Sequence, residues 1–310
     1  MLATGLSVFE INNDDAGFHI ATGRLIRATG TVPLTNPFSF AEDGARWIQH
    51  QWLPAVVISW VADLGGPKGL ILAKSAFIAL LTGAAAWSLY AARLPVPVGS
   101  FVLVVAVMAG AFRFKERPLL VSVLTVCLVS HWLLRWEKLG FRGRSEPLFA
   151  VVATVVCMHL HAGALYAVLV FIALFGGQLT RWLLTGRMPR IARKIGVLAN
   201  FEEQGEGAAR RSSILAGGVL LGVLSITAAS LALFAPSGLK VLSLPFSFGG
   251  DSYWHAHLAE FRSLPLAAWA HIQWYAVILV VACAFVAAFS ARWTEMFVLG
   301  GFAYLGLRHQ

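Results

Sequence analysis

Asp15 and His19 are the two residues of this sequence whose types and spacing most readily support chemistry. They stand four residues apart in a polar segment that also holds Asn13 and Asp14. A carboxylate and an imidazole at this spacing share one face of a helix, so they can bind one metal ion or pass one proton. The alternative is structural, because Asn and Asp are favoured at helix N-caps, where Asn13 or Asp14 would accept backbone N–H bonds. The spacing leaves both interpretations open.

A basic turn forms a second candidate group. Arg113, Lys115 and Arg117 crowd into five residues and are followed by Pro118. An anionic partner is expected to offset them, either a lipid phosphate or a phosphorylated substrate, and the planar fork of arginine suits phosphate.

Histidines supply the third group. His159 and His161 are two residues apart, so joint binding of one metal ion needs a break in the helix, which Gly163 permits. Without such a break, at least one of them is a packed histidine. His50 lies between Trp47 and Trp52, a pattern that fits an interfacial helix lying on a bilayer.

The loop 236–266 contains two further pairs at helical spacing. Asp251 precedes His255 by four residues, and His257 precedes Glu260 by three. An ordinary amphipathic surface helix explains them equally well.

The elements that must position these groups are hydrophobic. The 310 residues are 58% hydrophobic and 13% charged, against about 25% charged in soluble domains. About eight stretches in 69–310 approach the roughly 20 residues that a membrane-crossing helix needs; they are 69–92, 96–112, 118–136, 147–160, 161–180, 213–235, 267–289 and 295–307. The sequence therefore predicts an all-α, polytopic transmembrane bundle forming a single domain, 1–310.

The basic loops predict an orientation. The loop 181–211 holds seven Lys and Arg residues, and this excess marks the cytoplasmic side. Alternation from there places 1–51, the basic turn, the histidines at 159–161 and the loop 236–266 outside, where helices lying beside the membrane are expected. The net charge of +9 is thus concentrated in loops, which argues against a nucleic-acid partner. A shortened gene model would explain both the export of 1–51 without a preceding span and the apolar run at 295–307 near the end.

The candidate residues are thus predicted on the outer face of the membrane, and the first outer segment carries a motif pattern of a known family. Asp15, His19, Gly23-Arg24, Asn36-Pro37-Phe38-Ser39 and His50-Gln51-Trp52-Leu53 resemble the first outer loop of bacterial GT-C glycosyltransferases. These are relatives of protein mannosyltransferases and of the aminoarabinose transferase that modifies lipid A. Arg117-Pro118, His159-Leu160-His161-Ala162-Gly163 and Glu260-Phe261 resemble later motifs of the same group. Asn13, Asn36 and Gln51 stand where the family pattern carries acids, which leaves Asp15 and Asp14 as the candidate acids.

The resemblance implies sugar transfer from a polyprenyl-phosphate donor to a lipid, glycan or protein acceptor, on the outer face of the bacterial inner membrane. Asp15, with Asp14, would activate the acceptor hydroxyl, and Arg113, Arg117 and Lys115 would bind the donor phosphate. His19, His50, His161 and Glu260 would line the pocket. A divalent ion, Mg²⁺ or Mn²⁺, held by Asp15 and His19 is the one cofactor expected.

Two other classes compete with this interpretation. A transporter or lipid-translocating protein would use the same charges to recognise a headgroup. Such proteins tend to show inverted repeats and broken helices with polar residues in the middle of the membrane, and the sequence indicates neither. A non-catalytic, divergent homologue is the third class, because acids of the family pattern are replaced.

Overall fold

The computed structural model is mainly helical in the part of the chain it describes. That part comprises residues 5, 8, 14–38, 47–111, 114–115, 117–187, 206–244, 277–278, 280–284, 287 and 292–308, and it contains no β-strand. The helices are α1 (Asp14–Thr29), α2 (Trp52–Ala91), α3 (Val96–Gly110), α4 (Leu119–Lys138), α5 (Ser145–Met158), α6 (Tyr166–Arg187), α7 (Glu206–Phe234) and α8 (Trp293–Arg308). The predicted all-α class is confirmed for these residues.

Among the described residues, four apolar helical segments are long enough to cross a membrane. They are Trp52–Ala91, Leu119–Lys138, Ala162–Leu184 and Gly207–Phe234. The predicted stretches 96–112, 147–160 and 295–307 are also helical, but α3, α5 and α8 have only 15, 14 and 16 residues. The chain is therefore a helical membrane protein. Most of the stretch 267–289 lies outside the described residues.

Helix α2 consists of two helical pieces. Gly66 has φ 57° and ψ −153°, a conformation that favours glycine, and the next residue is Pro67, which lacks an N–H donor. The residues after this break match the predicted stretch 69–92. One expectation fails here, because the sequence indicated no broken helix. Lys74, in the second piece, is a buried charged residue of an apolar segment.

The predicted interfacial helix around Trp47 and Trp52 is also wrong. Residues 47–49 are not helical, His50 and Gln51 form a turn, and α2 begins only at Trp52. The two tryptophans thus belong to different elements, a connecting segment and the first turn of α2.

The helices group into two compact units, each with its own packing. The first comprises Met1–Cys127, Thr154–Leu165 and Ile226–Ser247; the second comprises Leu128–Ala153, Tyr166–Ser225 and Phe248–Gln310. The first unit is packed around Ile78, Val107, Phe114 and Leu120 from α2, α3, the basic turn and α4. In the second, α6 and α8 meet at Gly177, where an added Cβ would lie 2.5 Å from the Thr294 Oγ1.

Candidate site around Asp15 and Arg117

Helix α1 is held against the first piece of α2 by a close backbone approach. A Cβ added at Gly23 would lie 2.0 Å from the Ala55 carbonyl oxygen. Farther along, Arg24 and Arg27 both bind the carboxylate of Asp63, at 2.6 Å each. Since Gly23 meets Ala55 and Arg27 meets Asp63, the two helices run side by side in the same direction. Their first turns therefore lie at the same end of the pair.

The segment that connects these helices returns to the first turns. The Trp47 N–H donates to the Leu34 carbonyl at 2.8 Å. The rings of Phe38 and Trp47 pack edge-on against Phe18 of α1, with centroids 5.5 and 5.2 Å from it. This packing brings His50, which follows Trp47, to the end of the pair where Asp15 and His19 lie.

Asp15 forms an ion pair with the basic turn. Its Oδ2 lies 2.9 Å from Nη2 of Arg117, and the side chain of Asp15 is half exposed while that of Arg117 is 21% exposed. The anionic partner expected for the turn is thus, for Arg117, a carboxylate of the same chain. Lys115 is half-buried in the same turn, where its carbonyl accepts the Arg117 N–H at 2.8 Å.

His19 lies one helical turn after Asp15, as the sequence predicted, but on the buried side. Only 4% of the residue is exposed, and its Nδ1 is buried with no hydrogen-bond partner among the described residues. Asp15 and His50 both lie close enough to interact electrostatically with it.

His159 and His161 contact different helices, because the chain leaves α5 and forms a turn before α6 begins. A turn follows Met158, and Ala162–Leu165 forms a short 3₁₀ helix. His159 Nε2 lies 2.7 Å from the Ser230 hydroxyl of α7. His161 Nδ1 lies 2.7 Å from the Ser122 hydroxyl of α4, and the His161 ring centroid is 5.9 Å from that of His50. His161 thus joins the group, whereas His159 is a packed histidine.

The three grouped imidazoles are neutral near pH 7. Desolvation by burial lowers the pKa of His19 to about 4, although Asp15 opposes the shift, and lowers that of His161 to about 3. Burial also lowers the pKa of His50. His50 further lowers the pKa of His19 and of His161, because a charge on one imidazole disfavours a charge on the next. The group formed by Asp15, Arg117, His19, His50 and His161, named here the histidine cluster, therefore offers neutral imidazoles beside one ion pair.

Several candidates of the sequence analysis lie outside the described residues. These are Asn13, the side chain of Asp14, Arg113, Asp251, His255, His257 and Glu260. Two of the residues that stand where the family pattern carries acids are described. Asn36 Oδ1 accepts the Phe38 N–H at 3.0 Å, a turn typical of asparagine, whereas Gln51 occupies the N-cap position of α2 without a side-chain capping hydrogen bond.

Sequence reasoning missed Ser122 and Asp63. Ser122 is one of three hydroxyl residues in the apolar stretch 118–136, and nothing in its neighbours indicates a contact with a residue 39 positions later. For Asp63 the sequence contains a partial signal, because Arg24 and Arg27 share a helical face and need an acidic partner. Which acid they bind depends on how α1 and α2 pack.

The divalent ion expected at Asp15 and His19 stays a prediction. No group of three or more His, Cys, Asp or Glu side chains in the described part is arranged to hold a metal ion. Asp15 and His19 supply two donors at most, and the Asp15 Oδ2 is already engaged by Arg117. No step of the chemistry below is therefore assigned to a metal ion.

Comparison of the chain with protein-family models, with curated proteins and with solved structures yields no significant match.

Proposed function

We propose that this protein is a GT-C type membrane glycosyltransferase, which transfers a sugar from a polyprenyl-phosphate donor to an acceptor on the outer face of a bacterial inner membrane. One observation carries the proposal: the carboxylate of Asp15 and the guanidinium of Arg117, 102 positions apart, meet at 2.9 Å beside the buried imidazole of His19 and the half-buried imidazoles of His50 and His161. Such a site holds a base and a phosphate-binding cation within reach of one substrate. The motif resemblance supplies the reaction class.

The residues take the following roles in this proposal. Asp15 removes the proton of the acceptor hydroxyl, whose oxygen attacks the anomeric carbon of the donor sugar. The bond from that carbon to the phosphate oxygen breaks, and polyprenyl phosphate leaves with its charge bound by Arg117 and Lys115. Asp14, Arg113 and Glu260 are assigned to the same site by motif alone.

Asp15→Asn is the variant that tests the function. The amide keeps the size of the side chain but cannot take the acceptor proton, so transfer should fall by about 100-fold or more. The measurement is transfer in proteoliposomes supplied with a panel of polyprenyl-phosphate hexoses and pentoses and with membrane lipids as acceptors.

Asp63→Asn is the matched control. Asp63 also binds arginines at 2.6 Å, but those arginines are Arg24 and Arg27, 9 and 12 residues after Asp15, so about 14 to 18 Å away along the helix. Transfer by this control should stay close to that of the unaltered protein at equal amounts of folded protein. Equal activity of the two Asn variants would refute Asp15 as the base.

A lipid-translocating function is the second candidate, and the break at Gly66 favours it. Broken helices with polar residues inside the membrane are typical of transporters, and buried Lys74 follows the break by eight residues. In the same proteoliposomes, a translocator would move a labelled polyprenyl phosphate across the bilayer without forming a glycosylated product. That result would replace the transferase proposal.

A further inference from the structure

His161 is bound twice at one ring nitrogen. The backbone N–H of Gly163 donates to its Nδ1 at 3.1 Å, and the hydroxyl of Ser122 lies 2.7 Å from the same atom. An N–H can only donate, so Nδ1 must carry a lone pair, and the Ser122 hydroxyl must donate as well. A neutral imidazole with a bare Nδ1 carries its proton on Nε2.

The surroundings allow little deviation from this arrangement. Ser122 is 3% exposed. A Cβ added at Gly163 would lie 2.7 Å from the His161 Nδ1 and 2.9 Å from the Ser122 oxygen. The position therefore requires glycine, because any side chain would displace the imidazole, the hydroxyl or both.

The neighbouring histidine, His50, favours the opposite tautomer. The only atom within hydrogen-bond distance of the His50 Nδ1 in the described part is the Ile48 carbonyl oxygen, at 3.4 Å, and a carbonyl can only accept. This contact favours a proton on Nδ1 and a bare Nε2 in His50. His161 thus offers a donor and His50 an acceptor, with ring centroids 5.9 Å apart. A hydroxyl group, which both donates and accepts, matches such a pair better than an anion does.

We propose that Ser122 is a positioning residue of the histidine cluster: together with the Gly163 amide it fixes His161 as the neutral tautomer protonated on Nε2, which donates a hydrogen bond to a hydroxyl oxygen of the ligand. The ligand class rests on the proposed function, since a sugar or its acceptor brings hydroxyl groups. The fixing of the tautomer rests on the contacts at Nδ1 alone.

The test is nitrogen NMR of the detergent-solubilised full chain labelled with ¹⁵N-histidine, in which a bare and a protonated ring nitrogen have well-separated shifts. The His161 signals are assigned by their loss in His161→Gln. The unaltered protein should show a bare Nδ1 and a protonated Nε2 for His161 at every pH from 5 to 8. In Ser122→Ala the neutral His161 ring loses one hydrogen-bond donor at Nδ1, so the pKa of His161 should rise towards the ordinary histidine range. The fraction of His161 with a bare Nδ1 should fall. Ser122→Thr, which keeps the hydroxyl, should restore both.

Thr125→Ala is the control. It removes another buried hydroxyl from the same helix, one that donates to the Val121 carbonyl at 2.7 Å, and should leave the His161 signals unchanged. A protonated Nδ1 in the unaltered protein, or a Ser122→Ala spectrum identical to that of Thr125→Ala, would overturn the proposal.

Transfer assays separate this proposal from the function on which its ligand class depends. Ser122→Ala should lower kcat/KM by about 2- to 10-fold, the effect of one neutral hydrogen bond, and Ser122→Thr should recover it. If the NMR result holds but the unaltered protein transfers no sugar, the transferase function fails while the role of Ser122 in fixing His161 stands.

Discussion

Arg117 is the residue on which the chemistry of the site depends most directly. Its guanidinium binds the Asp15 carboxylate at 2.9 Å, yet the proposed donor brings a phosphate that needs the same cation. A guanidinium has five donors in a planar fork, so it can hold a phosphate while it keeps one bond to a carboxylate. Donor binding is thus expected to weaken the ion pair and leave Asp15 available to the acceptor hydroxyl.

Arg117→Ala should impair use of the donor more than use of the acceptor. Loss of charge-assisted hydrogen bonds costs about 1.5 to 3 kcal/mol, so the KM for the donor should rise by about 10- to 100-fold. Initial rates of transfer measured with each substrate varied in turn check this. Arg117→Lys keeps the charge but loses the planar fork of donors, so its KM for the donor should lie between those of the unaltered protein and of Arg117→Ala.

Arg24→Ala serves as the comparison for Arg117→Ala, since Arg24 also pairs with an aspartate but at the far end of α1. Its donor KM should stay near that of the unaltered protein. If the donor KM of Arg117→Ala is equally unchanged, Arg117 does not bind the phosphate.

Sequence reasoning could find site residues whose types stand out against an apolar background. Asp15, His19, Arg117 and His161 are ionisable residues at loops and helix ends, where solvation makes such residues conspicuous. It could not find Ser122, because a serine on an apolar helix is equally compatible with lipid, with packing or with a partner 39 positions away. Nor could it show that burial keeps the imidazoles neutral, since burial depends on the packing of several elements.

Helix α1 positions the site because of one tight contact with α2. An Ala55 carbonyl approaches the position of a Cβ at Gly23 to 2.0 Å, and interiors are packed too densely to absorb such an overlap. The two ion pairs to Asp63 are a third or more exposed on both sides, so they contribute little by comparison. Docking of α1 therefore rests on the size of residue 23.

Gly23→Ala should loosen α1 from α2. Overpacking of this kind typically costs about 1 to 3 kcal/mol, so the thermal midpoint in detergent should fall, and trypsin should cut faster after Arg24 and Arg27. Gly17→Ala is the control on the same helix, because a Cβ there meets nothing within 4 Å. Alanine is a better helix former than glycine, so this variant should be unchanged or slightly more stable. Equal midpoints for the two variants would contradict the close approach.

The elements themselves were predictable to different degrees. Long apolar runs gave the spans, because helices in a membrane must be apolar over about 20 residues. The break in α2 had a local signal in Gly66-Pro67, which combines a residue tolerant of positive φ with one that removes a donor. The interfacial helix around Trp47 was predicted on the tryptophans alone, whereas that segment is held by aromatic contacts with Phe18 and by the Leu34 carbonyl.

At the scale of the whole chain, the number of crossings decides which loops can share a site. Asp15, Arg117 and His161 are separated by α2 and α3, and then by α4 and α5. They meet in one unit, through Asp15 with Arg117 and through His161 with Ser122. Residues at one end of a bundle must be separated by an even number of crossings. This condition is met when the short helices α3 and α5 each cross, although α5, with 14 residues, is only about 21 Å long.

Cysteine labelling of four exposed positions tests that count. Thr31 and Lys240 should lie on one side of the membrane, six crossings apart, while Arg93 and Arg142 should lie on the other. Each is replaced by cysteine in a chain whose Cys127, Cys157 and Cys283 have been changed to alanine. An impermeant maleimide should then label Thr31→Cys and Lys240→Cys in intact cells, since positive-inside bias places them outside. Arg93→Cys and Arg142→Cys should react only after permeabilisation.

Two results would contradict this count. If α3 does not cross, Arg142→Cys will react together with Thr31→Cys. If α5 alone does not cross, Lys240→Cys will react only after permeabilisation. Either result would require a topology in which Asp15, Arg117 and His161 do not all face the same compartment.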